Sequence, residues 1–385
     1  MIVRSDVAHD ARVVREATAL VDAGCAVTIV GSAVPHHWQP PTGVEVVSLG
    51  ASSVFRRSAP RGRPLPPHLR LARWALLPRH NASVSESFRR AVRAWAEHAE
   101  PHDVVHAHDM PMFPVAAELA ERWGAALVYD AHEWWSGRRR EQRPTPLADR
   151  RERALERRLA VRADVVLTVS QGIADRLRAW GASEVRVVRN TFPVGTDAPE
   201  PVNAVTSLLY AGRVDGGRDL VTVFAAVARG IEVPLTLLGP VDRTFVVAHP
   251  VPPGVTLLGP VAPDDVDRHL RAAGAALVTL DDGCENHRLA LPNKLYQAVR
   301  AGVPVVASDL PEIARVVTEY GLGELYTPGD AASLQVAAAR VRADPQRYAP
   351  GLVRARRDLT WEVDAAVLVS AYATMGNMRS REASG

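Results

Sequence analysis

Leu291-Pro292-Asn293-Lys294-Leu295-Tyr296-Gln297 is followed, three residues on, by Ala301-Gly302-Val303-Pro304-Val305-Val306-Ala307-Ser308, and the fold is decided by how this stretch is read. Pro292 starts a helix over Asn293–Ala301, Gly302 stops it, and the apolar run Val303–Ser308 reads as a buried strand. A helix begun on proline leaves its first N–H groups and positive dipole end open to an anion, and Lys294 adds a point charge there. That combination suits a diphosphate. Taken alone, the same residues are equally an ordinary αβ unit with a surface lysine, so the rest of the chain must arbitrate.

Outward from this stretch, short apolar runs alternate with helical patterns from end to end, the grammar of parallel α/β sheets. In the first half the pattern predicts helices at Ala11–Ala23, Ser85–Ala99, Val115–Trp123 and Asp149–Val161. Strands fall at Val27–Val30, Val44–Ser48, Val104–Ala107, Ala126–Asp130 and Val165–Val169. The polar, proline-bearing run Asp197–Asn203 marks a boundary near residue 195, after which the grammar restarts. Strands are expected at Ser207–Tyr210, Leu235–Leu238, Val255–Leu258, Ala276–Leu280 and Val303–Ser308. Helices are expected at Arg218–Arg229, Pro263–Ala273, Asn293–Ala301, Pro311–Tyr320 and around Trp361–Met375. The fold class is therefore α/β, two doubly wound Rossmann-like domains facing a cleft: 1–195, then 196–360, with 361–385 as a closing helix and tail packed back on the first.

Polar residues gather at the predicted strand ends. His106, His108 and Asp109 follow one strand, Asp130, His132 and Glu133 the next; Gly212, Arg213, Asp215, Gly216, Gly217 and Arg218 follow a third, and Asp281, Asp282 and Glu285 a fourth. Four such ends describe a lined cleft, although each loop alone is a normal solvated connection.

A chain of 385 residues with 47% hydrophobic content suits two ordinary domains. Two distant cysteines, Cys25 and Cys284, match neither a disulfide framework nor a metal motif, so a reducing, cytoplasmic setting is expected. A net charge of +3 is too small to imply nucleic acid. Arg56, Arg57, Arg61, Arg63, Arg70, Arg73 and Arg79, interleaved with prolines and leucines, could rest peripherally on an anionic membrane face, or form a solvated loop. No run approaches the length of a membrane helix. The alanine, arginine and valine content suggests a GC-rich bacterial source.

At this point the order of motifs resembles the retaining, GT-B-fold glycosyltransferases of family 4 over nearly the whole chain. His9-Asp10-Ala11-Arg12-Val13-Val14-Arg15-Glu16-Ala17 is similar to the family's opening helix, and Asp103–Asp109 and Val128–Glu133 to its acceptor-domain strand ends. Val169-Ser170 with Gly172, and Val187–Asn190, are similar to the exit from that domain. Leu209-Tyr210-Ala211-Gly212-Arg213 and Leu291–Val306 resemble its donor-binding motifs. The resemblance implies transfer of a sugar from a nucleotide-diphosphate sugar, held by the later domain, to a small-molecule, glycan or lipid-linked acceptor held by the earlier one, in envelope-glycan or natural-product biosynthesis. It implies no metal and no cofactor. His108, Arg213 and Lys294 become the catalytic candidates. Gly212, Arg213, Arg218, Pro292, Asn293, Lys294, Leu295 and Gln297 become the donor-binding ones, and His9, Asp10, Asp109, His132 and Glu133 the acceptor-binding ones. Trp134 and Trp135 are read as a sugar-stacking wall or as core.

Three departures stand out. Many members carry two glutamates with seven residues between them; here those positions are Leu289 and Gln297, and Gln297 lacks the charge that strengthens a carboxylate contact. Arg218 stands where many relatives have lysine. Met1-Ile2-Val3 leaves little of a first strand, so either that strand is short or the true start lies upstream. A catalytically silent GT-B protein, binding a nucleotide or serving as a partner subunit, is the alternative that Leu289 and Gln297 support.

Overall fold

A computed structural model of the protein describes residues 1–385 apart from 33, 36–37, 51–83, 140–145, 196–198, 232, 263–264 and 383–385. The arginine-rich stretch 56–79 lies outside the described residues. The chain forms two compact bodies. One comprises Met1–Val169, Ile173–Val188 and Ala365–Gly385; the other comprises Ser170–Gly172 and Arg189–Asp364.

The first body holds β1 (Val27–Ser32), β2 (Val44–Leu49), β3 (Val104–His108), β4 (Ala126–Ala131), β5 (Val165–Thr168) and β6 (Val185–Val187). β1 pairs β2, and β3 to β6 pair in sequence order, all in parallel. Ile2 bridges Val30 and Ala107 in parallel and so joins the two sets. One residue stands where the family's first strand would run. β4 and β5 are buried throughout, as expected of strands covered on both faces.

Helix Ala11–Asp22 is capped by Asp10, whose side chain accepts from Val13 N–H at 3.4 Å, and it buries Arg12, Val13, Glu16, Ala17 and Leu20 on one face. Two of those five are charged, a departure from an apolar stripe that prepares the site below. The next strand-following helix runs Asp109–Trp123, six residues longer at its start than the Val115 expected. Pro114 sits inside it, early enough that its missing N–H and ring cost only one backbone bond near the first turn.

The second body holds β7 (Ser207–Ala211), β8 (Leu235–Leu238), β9 (Val255–Gly259), β10 (Gly274–Val278), β11 (Val305–Ser308) and β12 (Gly323–Tyr326). Their spatial order is β12-β11-β10-β7-β8-β9, parallel throughout. The order reverses between β7 and β10, the point at whose carboxyl side a doubly wound sheet binds ligands. Helices Asn293–Ala301 and Pro311–Tyr320 occur with the expected bounds, each closed by a left-handed glycine, Gly302 and Gly321. β10 begins two residues before the expected Ala276, on Gly274, whose φ of +85° only glycine adopts without strain.

The closing helix Trp361–Glu382 starts in the second body and continues in the first. Its first turn is fixed by Asp364, which accepts from Arg189 Nε at 2.9 Å and from Thr191 Oγ1 at 2.5 Å. Helix Trp361–Glu382 is thus tied to the strand-exit segment 189–191 before it leaves the second body.

Gly323 offers a direct test of β11–β12 packing, because a Cβ there would lie 1.9 Å from the backbone oxygen of Val305. Gly323→Ala should destabilise the second body by about 1–3 kcal/mol through overpacking, seen as a lowered Tm in thermal unfolding. Gly376→Ala, on the closing helix with nothing within 4 Å of the added carbon, should leave Tm unchanged or raise it.

Candidate functional site

Two groups of side chains collect at strand carboxyl ends, one in each body. In the first body, His108 ends β3 and Asp130 lies on β4, directly opposite it in the parallel register. Asp130 is fully buried and serves several partners. Arg12 grips it with two parallel bonds, Nε to Oδ2 at 2.9 Å and Nη2 to Oδ1 at 2.7 Å. His132 Nε2 lies 2.7 Å from Oδ2, and His108 Nδ1 lies 3.2 Å from the same oxygen. The third nitrogen of Arg12 donates to the Val188 carbonyl at 2.8 Å, and its Nε also lies 2.9 Å from Glu16 Oε1.

Charges distribute accordingly. Burial works against ionisation of Asp130, yet Arg12 and the two histidines hold its carboxyl well below the usual range. Burial likewise opposes the charge on His132, but Asp109 and Asp130 outweigh it and push its pKa up to about 10. Asp109 is placed for this by a left-handed backbone, φ 59°, that lets its carboxylate meet both His132 N–H at 3.2 Å and His132 Nδ1 at 3.5 Å. His108 moves the other way, its pKa lowered mainly by burial. It is therefore a neutral imidazole at pH 7. With Asp130 accepting at Nδ1, the proton belongs there, and Nε2 is left buried and without a hydrogen-bond partner among the described residues. Burial also pushes the Glu16 carboxyl up to about 8.

Glu16, His106, His108 and Asp130 bring ligand-type atoms within 4.8 Å of one another, a spacing a metal ion could use. The guanidinium of Arg12 lies between the Glu16 carboxyl, which burial favours in its protonated form, and the Asp130 carboxylate, with which it forms the salt bridge.

The acceptor candidates divide. Asp109 and His132 join His108. Asp10 caps its helix, accepts from Ser5 Oγ at 2.7 Å, and lies close enough to act on the charge of His108. Glu133 turns away to Arg138 at 2.9 Å. His9 ends the short turn Val7–His9, and its side chain is outside the described residues. Trp134 is core, buried against Trp180 at 4.4 Å, whereas Trp135 carries the Arg138 guanidinium over its ring. Arg12 and Glu16 were quoted above only as parts of a motif, and Asp130 only as one of several polar residues at a strand end; charges on a buried helix face and a buried strand were the available signal.

In the second body, the loop after β7 meets the start of helix Asn293–Ala301. A Cβ on Gly212 would lie 2.8 Å from Lys294 Cε and 2.9 Å from Nζ, and a Cβ on Gly239 would lie 2.3 Å from the Gly212 carbonyl oxygen. Both have positive φ, +152° and +142°. Glycine at each position lets backbone and lysine close on one another. Lys294 Nζ stands 4.8 Å over the Tyr210 ring, whose hydroxyl donates to the Arg213 carbonyl at 2.7 Å. Helix Asn293–Ala301 has Pro292 as its N-cap and no side chain capping its first amides.

Burial and, less strongly, Arg218 lower the pKa of Lys294 to about 7 against the opposing charge of Asp215. Arg218 and Asp215 pair at 3.4 Å, and Asp215 also accepts from Gly217 N–H at 3.1 Å. Arg213 is exposed, and the charge it acts on is that of Asp242. Lys294, Arg218 and Gly212 are thus drawn together; Arg213 is linked to them through its backbone carbonyl, and its side chain is exposed. Gln297 is half-buried one turn beyond Lys294. Leu289 is used for packing: it would meet a Cβ on Gly172 at 2.8 Å, and its carbonyl accepts from Ser170 Oγ at 2.6 Å.

Comparison with known proteins bears on these two groups. Residues 9–191 match the model of the glycosyl transferase 4-like domain, and residues 204–344 match that of the glycosyl transferases group 1, so that together the two take in most of the chain. The chain is a family 4 glycosyltransferase. The glycosyltransferase is 25% identical to glycogen synthase of Mycobacterium tuberculosis over 288 residues, 70% of this chain and 67% of that one. Among solved structures it is similar to sucrose-phosphate synthase from Thermosynechococcus elongatus, with a TM-score of 0.69, 19% identity, and 94% and 92% of the two chains covered. It is also similar to Anabaena HepE in complex with UDP, with a TM-score of 0.65, 15% identity and 98% of each chain covered. These likenesses establish the GT-B fold, with two Rossmann-like domains. No helix among the described residues of the glycosyltransferase is long and apolar enough to cross a membrane.

The charge arrangement around His132 yields a signed prediction. Its folded pKa of about 10 lies above the ordinary 6.5, so the stability it contributes is full below pH 6.5 and is lost as pH rises toward 10. In urea denaturation, the advantage of wild type over His132→Gln should therefore shrink between pH 6.5 and 9.5. A constant difference would mean that Asp109 and Asp130 do not hold this histidine protonated.

Proposed function

We propose that this enzyme transfers a sugar, with retention of anomeric configuration, from a nucleotide-diphosphate sugar to a small-molecule, glycan or lipid-linked acceptor. The observation that carries the reading is the set made by Gly212, Arg218, Lys294 and the uncapped amides of helix Asn293–Ala301. A nucleoside diphosphate leaves with growing negative charge on its phosphate oxygens, and fixed cations with helix N-terminal amides stabilise that charge as it develops. HepE is described with UDP bound, which supports a nucleotide-sugar donor here. In this reading the second body holds the donor, without a resident metal or cofactor, and the first presents the acceptor.

Retention is assigned to front-side attack. The acceptor hydroxyl oxygen bonds to the anomeric carbon as the bond to the diphosphate oxygen breaks, and that departing oxygen takes the hydroxyl proton. His108, neutral and buried, offers Nε2 to the reacting sugar for orientation, and the Asp130 and Arg12 network keeps its ring in place.

A panel of UDP-, GDP- and dTDP-sugars, read by thermal shift and by nucleotide release with acceptors, tests this. A donor at 100 times its dissociation constant adds about 2.7 kcal/mol of stability. Lys294→Ala should abolish the shift. His108→Ala should keep it and lose turnover by roughly 10²-fold or more. A full shift in Lys294→Ala would place the diphosphate elsewhere.

A pH series separates the lysine from its neighbours. Because free Lys294 titrates near 7, binding a diphosphate to its protonated form takes up a proton above that pH. UDP affinity should fall with rising pH between 7.5 and 8.5, by at most about tenfold per unit. Lys294→Met should bind weakly and without that slope; an identical slope in both proteins would assign the proton to another group.

A further inference from the structure

His106 precedes His108 by two positions on β3, so the alternation of a strand puts both rings on the same side of the sheet. The rings are stacked, with centroids 4.4 Å apart and planes within 17°. His106 is buried, and its Nδ1 lies 2.8 Å from the hydroxyl of Tyr372 on the closing helix Trp361–Glu382. Its other nitrogen, Nε2, has no hydrogen-bond partner among the described residues and stands 3.8 Å from Glu16 Oε2. Among the described residues, Tyr372 is therefore the hydrogen-bonding group that fixes the rotation of the His106 ring, and the His106 ring forms the floor on which His108 lies.

We infer that Tyr372 and His106 are positioning residues for His108, acting through the ring stack while Asp130 acts through Nδ1. The inference rests on the reading of His108 given above. Two constraints are needed because they restrict different motions. A hydrogen bond at Nδ1 leaves the imidazole free to tilt about the axis through that bond, and a stacked ring beneath it blocks the tilt. Orientation matters here because a misplacement of about 1 Å in a reacting geometry costs on the order of 10²-fold in rate. The arrangement also gives the closing helix a role in the site: the chain leaves the first body at Val188, returns at Ala365, and delivers Tyr372 within its first two turns there.

The test uses the full chain with ¹⁵N- and ¹³C-labelled histidine, without donor or acceptor. Tyr372→Phe keeps the ring and removes only the hydroxyl. The His108 ring resonances, assigned by their loss in His108→Ala, should shift and broaden in Tyr372→Phe, while the Tm and the His132 resonances stay at their wild-type values. His108 resonances identical to wild type would overturn the inference, as would a general shift of all the histidines together with a lowered Tm. With a donor and acceptor that the wild type turns over, Tyr372→Phe should lower kcat by about tenfold and leave donor KM within about twofold. An unchanged kcat, or a loss confined to KM, would likewise overturn it. His108→Ala separates the two readings: if it retains full turnover, the role of His108 fails, whereas the resonance test still decides whether Tyr372 holds the ring.

Discussion

Asp130 is the constraint on which the first body's chemistry depends. A carboxylate with no exposure has to be surrounded by donors, and here one guanidinium and two imidazoles converge on two oxygen atoms. Removing one partner of such a buried pair typically costs about 3–5 kcal/mol, because the other charge is left uncompensated. The network therefore constrains the chain at several places: Arg12 on the opening helix, His108 at the end of β3, and His132 beyond β4. It also sorts protons. Asp109 and Asp130 together keep His132 charged, which leaves His108 neutral, with its free nitrogen in the unprotonated form. Two histidines a few ångströms apart acquire opposite protonation states because burial prevails at His108, whereas at His132 the carboxylates of Asp109 and Asp130 outweigh it.

The second body reaches its chemistry through absence of side chains. Gly239 lets the Gly212 carbonyl approach, and Gly212 in turn lets Lys294 lie against the backbone. Any Cβ at either position would move the lysine or the loop. The order of strands puts this contact at the reversal point between β7 and β10, where neighbouring connections diverge to opposite faces and leave room above the sheet. Topology supplies the position, and the glycines supply the clearance.

Much of this was legible in the sequence because the physical signals were local. Pro292 and Gly302 bounded a helix, and Pro311 and Gly321 bounded another, by dihedral preferences that depend on one residue each. Most strands of both sheets showed as short apolar runs, although β6, Val185–Val187, was not read out. The errors have equally local causes. A helix was expected from Val115, yet it begins at Asp109 and carries Pro114 inside it, where the missing N–H costs one backbone bond. Edge strand β12, Gly323–Tyr326, and helix Ala331–Ala343 were not read out, the first because it is short and half-buried, the second because its alanine-rich sequence carries little periodic contrast. At the site, histidines and acids at strand ends were visible, but Arg12, Glu16 and Tyr372 were not recognisable as participants. Their roles arise from elements that lie far apart in sequence, and helical periodicity alone predicts an apolar face where Arg12 and Glu16 sit.

Leu289 and Gln297, both departures from the glutamates common in similar sequences, have different consequences. Leu289, half-buried, packs against Gly172. Gln297 lies on the same helix as Lys294, three residues on, so the two side chains share a face. A glutamate at that position would supply a second negative charge to hold Lys294 protonated. With glutamine there, Asp215 is the acidic group opposing burial and Arg218, and the lysine settles near neutrality. An anionic ligand at Lys294 would supply the counter-charge that favours its protonated form against burial and Arg218.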